Sequence, residues 1–263
     1  MLKKSFFNRQ QTAVTLLIRG ESIDEMLASA RMAEFNGADG IAIELCDLEP
    51  EQRTKENYRR LMDGVHLPFM FILYRNDRWF KDDDEARQKY LLEAAEAGAE
   101  VIDVMGDLYD PSQYELTRNP EAIRKQMALI DQIHERGAKV IMSSHMSGDF
   151  RTAEQVLEHL RQQSARGADI LKIVTRANTE DELAEVIRTT MILNKELDKP
   201  FVHLCNGSCS RLHRFVGPKL GSAIAFAVND YNKPSLLYGQ PTIRSLKTVI
   251  EAIPWHVDDV QVK

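Results

Sequence analysis

Eight short apolar runs, each followed by an amphipathic window, predict an α/β fold for this 263-residue chain: a single (β/α)8 TIM barrel. Three observations carry that expectation. The runs are continuous and rich in β-branched residues, as parallel strands covered on both faces are. The windows between them open on capping residues and close on glycine. No linker, low-complexity tract or break in composition interrupts the alternation, so residues 1–263 read as one domain with a short N-terminal extension, 1–11. A doubly wound sheet usually carries a glycine-rich phosphate fingerprint after its first strand, and Arg19-Gly20-Glu21-Ser22 is not one.

In order, the expected strands are Ala13–Ile18, Gly40–Leu45, Phe69–Tyr74, Val101–Met105, Lys139–Ser143, Ile170–Thr175, Pro200–Leu204 and Ser222–Val228. Ser22-Ile-Asp-Glu25, Thr152-Ala-Glu-Gln155 and Thr179-Glu-Asp-Glu182 match the capping box that starts a helix. Asn119-Pro120-Glu121 sets a capping residue before a proline suited to the first helical turn. Helices stop at Asn36-Gly37-Ala38, Ala97-Gly98-Ala99, Arg136-Gly137-Ala138 and Arg166-Gly167-Ala168. Each glycine is placed for a left-handed C-cap that feeds the next strand.

The chain is 43% hydrophobic and 28% charged, with a formal net charge of -6. No basic block points to nucleic acid, and no apolar stretch approaches membrane-spanning length. The N-terminus begins basic but lacks the apolar run of a signal peptide. Cys46, Cys205 and Cys209 match no usual zinc spacing and cannot all pair, so reduced thiols in a cytoplasmic protein are expected.

Chemistry is sought where barrel strands end. Lys172 stands in Gly167-Ala-Asp-Ile-Leu-Lys-Ile-Val-Thr175, an ammonium inside an apolar strand. Desolvation there favours the neutral amine, the form that attacks a carbonyl to make a Schiff base; a lysine snorkelling past apolar surface is the bland alternative. Glu44 ends the second strand, Arg75 the third and His145 the fifth; Arg211 follows the seventh and Gln240 the eighth. Singly, each has an ordinary structural explanation. Jointly they set an amine, an imidazole, a carboxylate and two guanidiniums on one rim. Two guanidiniums suit bidentate capture of a small-molecule carboxylate, and their field would help keep Lys172 neutral.

This order of residues resembles the type I 3-dehydroquinate dehydratases, Schiff-base barrels of the shikimate pathway. The resemblance runs through Ala38–Glu44, Phe71–Arg75, Lys139–His145, Gly167–Ile173, Gly207–Arg211, Gly221-Ser222 and Tyr238–Gln240. It implies that Lys172 forms the Schiff base and that His145 is the general acid and base. It implies that Glu44 and Arg75 contact the hydroxyl-bearing side of the substrate, while Arg211 and Gln240 hold its carboxylate. The elimination would need no metal or organic cofactor, and the resemblance alone suggests a homodimer. Three positions depart from the family pattern: Cys46 for an arginine, Trp79 for the glutamate that orients the histidine, and Leu236 for a carboxylate-binding serine, with Ser235 adjacent. Without that glutamate the histidine loses tautomer control and basicity, unless Asp77 or the run Asp82–Glu85 substitutes. Segment Asp230–Tyr238 is the expected lid.

Three other readings stay open: a related hydroxylated keto acid as substrate, a ligand-binding barrel without turnover, and a metal-dependent sugar isomerase built on Glu44, Asp103, His145 and His203. The last explains neither Lys172 nor the arginines, and Asp103 lies within its strand rather than at its end.

Overall fold

The computed structural model describes residues 5–7, 11–146, 148–231 and 239–260. Eight parallel strands alternate with helices: β1 Ala13–Arg19, α1 Ile23–Phe35, β2 Gly40–Glu44, α2 Lys55–Asp63, β3 Phe69–Ile72, α3 Asp84–Ala97, β4 Val101–Met105, α4 Pro120–Glu135, β5 Lys139–His145, α5 Ala153–Ala165, β6 Ile170–Arg176, α6 Glu180–Glu196, β7 Phe201–Asn206, α7 Ser210–Val216, β8 Ile224–Ala227 and α8 Ile243–Ala252. From β1 to β7 each strand pairs with the next, and β1 also pairs with β8. Where β7 meets β8, the Ala223 amide donates to the Phe201 carbonyl at 2.8 Å. The result is the nearly closed (β/α)8 barrel expected.

Local chemistry explains the boundaries. Ser22, Thr152 and Thr179 accept from the amide three residues on, and Thr152 with Gln155 forms a reciprocal capping box. Pro120 opens α4 behind Asn119. Gly37, Gly98, Gly137 and Gly167 adopt φ of 87°, 111°, 84° and 98°, the left-handed region where a side chain is strained.

Side-chain alternation then sorts each strand. Ala42, Met70, Ile72, Val101, Ile141, Ile170, Val174, Val202, Leu204 and Phe226 fill the barrel interior as one cluster. The intervening residues pack outward beneath the helices in a second, larger cluster. Phe6, before the first strand, belongs to the interior cluster and is 5% exposed. Gly40 makes room for it, since a Cβ there would meet the Phe6 ring at 2.4 Å. The interior is thus apolar toward the N-terminal ends of the strands. Polar side chains enter it toward the other end.

Candidate active site

Lys172 sits on the inward parity of β6, between Ile170 and Val174, and is 6% exposed. Its Nζ lies 3.5 Å from Asp103 Oδ2 and 5.7 Å from the centre of the Phe226 ring. Asp103 is itself 3% exposed. A buried lysine is costly unless paired, and β4 supplies the partner from its middle residue. Being inside the strand therefore places Asp103 against Lys172 rather than out of reach, a role the sequence reading missed.

The wall around Lys172 encloses a cavity of about 310 Å³, large enough for a small organic substrate. Glu44, His145, Lys172 and Gln240 all line it. So do Tyr74, Asn76, Glu115, Asn206 and Arg214, none of which was singled out beforehand.

The carboxylate facing His145 is Glu115, in the loop between β4 and α4. Its Oε2 accepts from His145 Nδ1 at 2.8 Å, from the His145 amide at 2.9 Å and from the Tyr74 hydroxyl at 2.7 Å. Burial would raise this carboxyl, but the bonds from His145 and Tyr74 outweigh it and hold the group below its ordinary value. The opposite holds for Tyr74: burial, then Glu115 and Asp103, push its phenol well up, so it stays a neutral donor. The Tyr74 ring meets the imidazole edge-on at 5.1 Å. With Nδ1–H committed to Glu115, Nε2 is the nitrogen left to exchange protons.

The loop carrying Glu115 is clamped from below. Ser144 Oγ donates to the Glu115 carbonyl at 2.6 Å, and Gln163 Nε2 donates to Ser144 Oγ at 3.0 Å. Arg166, buried on α5's C-terminal side, donates to the Gly106 and Thr117 carbonyls at 3.0 and 2.6 Å. Gly106 is obligatory there, because a Cβ would stand 2.3 Å from the Glu115 carbonyl oxygen. Glu115 itself takes φ 49°, which L residues adopt reluctantly.

Several expectations need correction. Asp77 does not orient His145: it is fully buried, ion-paired to Arg53, and accepts from the Trp79 and Phe80 amides. The run Asp82–Glu85 begins α3 instead, with Asp83 capping Ala86 and Asp84 held by Arg87. Trp79 stacks over the Arg53 guanidinium at 5.0 Å. Arg75 does not reach the cavity wall, because Asp107 Oδ1 and the Asp107 carbonyl hold it at 2.8 and 2.7 Å. Arg211 is exposed at the rim, with Nη2 3.4 Å from the Tyr231 hydroxyl. His203 faces outward, bonded to Thr175 and Thr190 and pushed down to about 3 by burial. That leaves the proposed isomerase metal site without its second histidine. Ser235, Leu236 and Tyr238 lie outside the described residues.

One turn beyond Arg211, Arg214 brings a guanidinium into the wall. It is 6% exposed and donates to the Cys205 carbonyl at 2.9 Å and to Asn206 Oδ1 at 2.7 Å. Burial pushes it down to about 10, and no carboxylate offsets this among the described residues. Gln240 is 5% exposed, and its Oε1 has no partner among the described residues. Across the cavity, Glu44 is 3.6 Å from Arg19 and accepts from Asn76 Nδ2 at 3.2 Å. Cys46 is buried and donates to Asn76 Oδ1 at 3.1 Å; burial, then Glu44, raise its thiol, so it stays protonated.

A parallel barrel whose strand ends gather a buried amine, a carboxylate-held imidazole and a small polar cavity has the build of a barrel enzyme. The chain belongs to the type I 3-dehydroquinase family, whose sequence model matches residues 14–254. It is 25% identical to the 3-dehydroquinate dehydratase of Klebsiella pneumoniae over 96% of this chain and 97% of that one. It is 30% identical to the bifunctional 3-dehydroquinate dehydratase/shikimate dehydrogenase of Arabidopsis thaliana, covering 87% of this chain and 35% of that one. The fold is similar to type I 3-dehydroquinate dehydratase from Clostridium difficile, solved with covalently modified comenic acid. That match has a TM-score of 0.77 at 18% identity and covers 93% of each chain. The Geobacillus kaustophilus enzyme superposes with a TM-score of 0.76 at 17% identity, covering 97% of this chain and 93% of that one.

Proposed function

We propose that this chain is a lyase that dehydrates 3-dehydroquinate to 3-dehydroshikimate through a Schiff base on Lys172, a step of the shikimate pathway. The observation that carries this reading is the buried Lys172 amine opening into the same cavity as an imidazole held by a carboxylate. Lys172 Nζ attacks the ring ketone, water is lost, and the iminium draws electrons from the adjacent carbon. His145 Nε2 takes the proton from that carbon and returns one to the hydroxide leaving the next carbon. Positioned acid–base help of this kind is worth roughly 10²–10⁴ in rate. Hydrolysis of the iminium then frees the enone and the amine.

Binding divides between two walls. Gln240 and Arg214 face the substrate carboxylate, with Arg211 reaching it from the rim. Glu44, screened by Arg19 and joined to Asn76, faces the ring hydroxyls. Arg75 is held away from this side by Asp107. A related hydroxylated keto acid is the second reading, favoured by Cys46 and the withdrawn Arg75 on the hydroxyl side. We also read the protein as cytoplasmic, from its free thiols, and as a homodimer, as the family likeness implies.

The test is intact-mass spectrometry after mixing with 3-dehydroquinate and borohydride, beside an absorbance assay for the conjugated product. One reduced ligand mapped to Lys172, with enone formation, is expected. Lys172→Ala should abolish both, a loss on the order of 10⁴-fold or more in turnover, in a protein whose circular dichroism is unchanged. Full activity in folded Lys172→Ala would end the Schiff-base reading. An adduct without enone would support the related keto acid.

A further inference from the structure

We propose that Asp103, Ser143, Tyr74 and Glu115 form a proton relay across the cavity floor, with Asp103 taking the proton that Lys172 must lose before it can attack. This rests on the reading above only in taking Lys172 as the nucleophile. Three oxygen–oxygen contacts join the two carboxylates. Ser143 Oγ donates to Asp103 Oδ1 at 2.6 Å, the Tyr74 and Ser143 hydroxyls meet at 3.2 Å, and Tyr74 donates to Glu115 Oε2 at 2.7 Å. At the far end Glu115 accepts from His145 Nδ1, and at the near end Asp103 Oδ2 faces Lys172 Nζ at 3.5 Å.

Counting protons shows what this chain is built for. Two hydroxyls have two protons to give, yet there are three contacts to satisfy. With both carboxylates ionised, Ser143 gives its proton to Asp103 and Tyr74 gives its proton to Glu115. The Ser143–Tyr74 contact is then left lone pair against lone pair, and it is the long one of the three. One more proton repairs the chain. If Lys172 passes H⁺ to Asp103 Oδ2, a half-turn of the carboxyl presents that proton to Ser143. Ser143 then donates to Tyr74, and Tyr74 still donates to Glu115.

Neutral Lys172 beside protonated Asp103 therefore has all three oxygen–oxygen contacts of the chain made, while the ammonium–carboxylate form leaves one of them unmade. An unmade bond between buried groups is costly. The bookkeeping of the reaction also closes: the amine attacks, the carbinolamine hydroxyl departs as water with the proton stored on Asp103, and the iminium remains. The other charged or titratable groups on this cavity are His145, Glu44, Glu115 and Arg214. Of these, Arg214 is the cation and Glu44 and Glu115 are the carboxylates.

The test does not depend on the natural substrate. Lys172 and the exposed Lys195 are reductively methylated with limiting formaldehyde and cyanoborohydride between pH 6 and 8, and peptide masses give their ratio. An ordinary exposed lysine gains about tenfold in neutral amine per pH unit. If the relay operates, Lys172 labelling in the intact protein rises less steeply with pH than that of Lys195, so the Lys172/Lys195 ratio falls as pH rises. In Tyr74→Phe the relay is cut while the Ser143 bond to Asp103 stays. Lys172 should then label roughly tenfold more slowly at pH 7, with a ratio that no longer changes with pH. Tyr74→Phe is the decisive variant, with Tyr74→Leu as the second should it not fold, because Ser143→Ala would also take from ionised Asp103 the donor that steadies it. Wild-type labelling and slope in a folded variant would overturn the relay. Failure of the 3-dehydroquinate reading would show separately, as a missing borohydride adduct.

Discussion

The two sides of the cavity are finished to different degrees. On the β3–β6 side, Lys172, Asp103, Ser143, Tyr74, Glu115 and His145 bond to one another, and the loop bearing Glu115 is pinned by Ser144 and Arg166. On the α7–β8 side, Arg214 is a buried cation without a carboxylate partner among the described residues, and Gln240 presents a buried oxygen with none. The first side is organised before any substrate arrives, as groups that must stabilise a transition state should be. The second is left incomplete in charge, as a wall proposed to receive the substrate carboxylate should be. Reaction and recognition are therefore separable by mutation.

The largest expected effect on this contrast comes from Glu115→Gln. The amide keeps the shape but loses the charge that fixes the His145 tautomer. We expect kcat to fall by roughly 10²–10⁴ while KM changes little, measured by steady-state enone formation. A KM effect alone would move Glu115 to the recognition side. The pH dependence has a defined sign. The folded Glu115 carboxyl is held below its unfolded value of about 4.3. Its contribution to stability is therefore complete above that value and is lost as pH falls through the lower, folded one. Melting curves of wild type and Glu115→Gln should differ at pH 6 and converge as the solution is acidified toward pH 3.

The opposite signature is expected at Arg214. Arg214→Gln removes a charge-assisted partner for a carboxylate, a loss of about 1.5–3 kcal/mol. KM should rise by roughly ten- to a hundredfold with kcat within a few-fold. Because Arg214 also ties down Cys205 and Asn206, the melting temperature is read alongside. A folded variant with unchanged KM would return the carboxylate to Arg211 and Gln240.

How much of this was legible in the sequence follows from the physics of each signal. Strand runs and glycine caps are local and periodic, so the barrel could be read directly, to within a residue or two at most ends. Lys172 was visible because a charge in an apolar strand is anomalous. Asp103 carries the same anomaly on β4, and reading the two as opposite charges on inward positions would have paired them. Glu115 had no such signal. It lies in an aperiodic loop 30 residues from His145, and its direction depends on Gly106, Ser144 and Arg166 acting together. Arg75 and Arg214 show the converse limit. Strand-end position marked Arg75, but Asp107 captures it, while Arg214 enters the wall because α7 turns once more after Arg211. Spacing along a chain cannot tell which acid a guanidinium will meet.

Trp79 sharpens the comparison from the other direction and carries the smallest effect. It occupies the position at which the family likeness implies a histidine-orienting glutamate, yet it is 40% exposed and lies over Arg53. Arg53 is fully buried, bonded to Asp77 and the Leu48 carbonyl, and also faced by Phe80 and Tyr90 at 5.9 and 5.2 Å. This cluster braces the loop after β3 and touches neither His145 nor Lys172. Trp79→Ala removes one aromatic face from a guanidinium that keeps its ion pair and its other rings. We expect a loss of about 1 kcal/mol in unfolding free energy, read from urea titration, with kcat and KM within a factor of two or three. If kcat instead fell as far as in Glu115→Gln, the orienting function would extend through the β3 loop, and the division between the two walls would have to be redrawn.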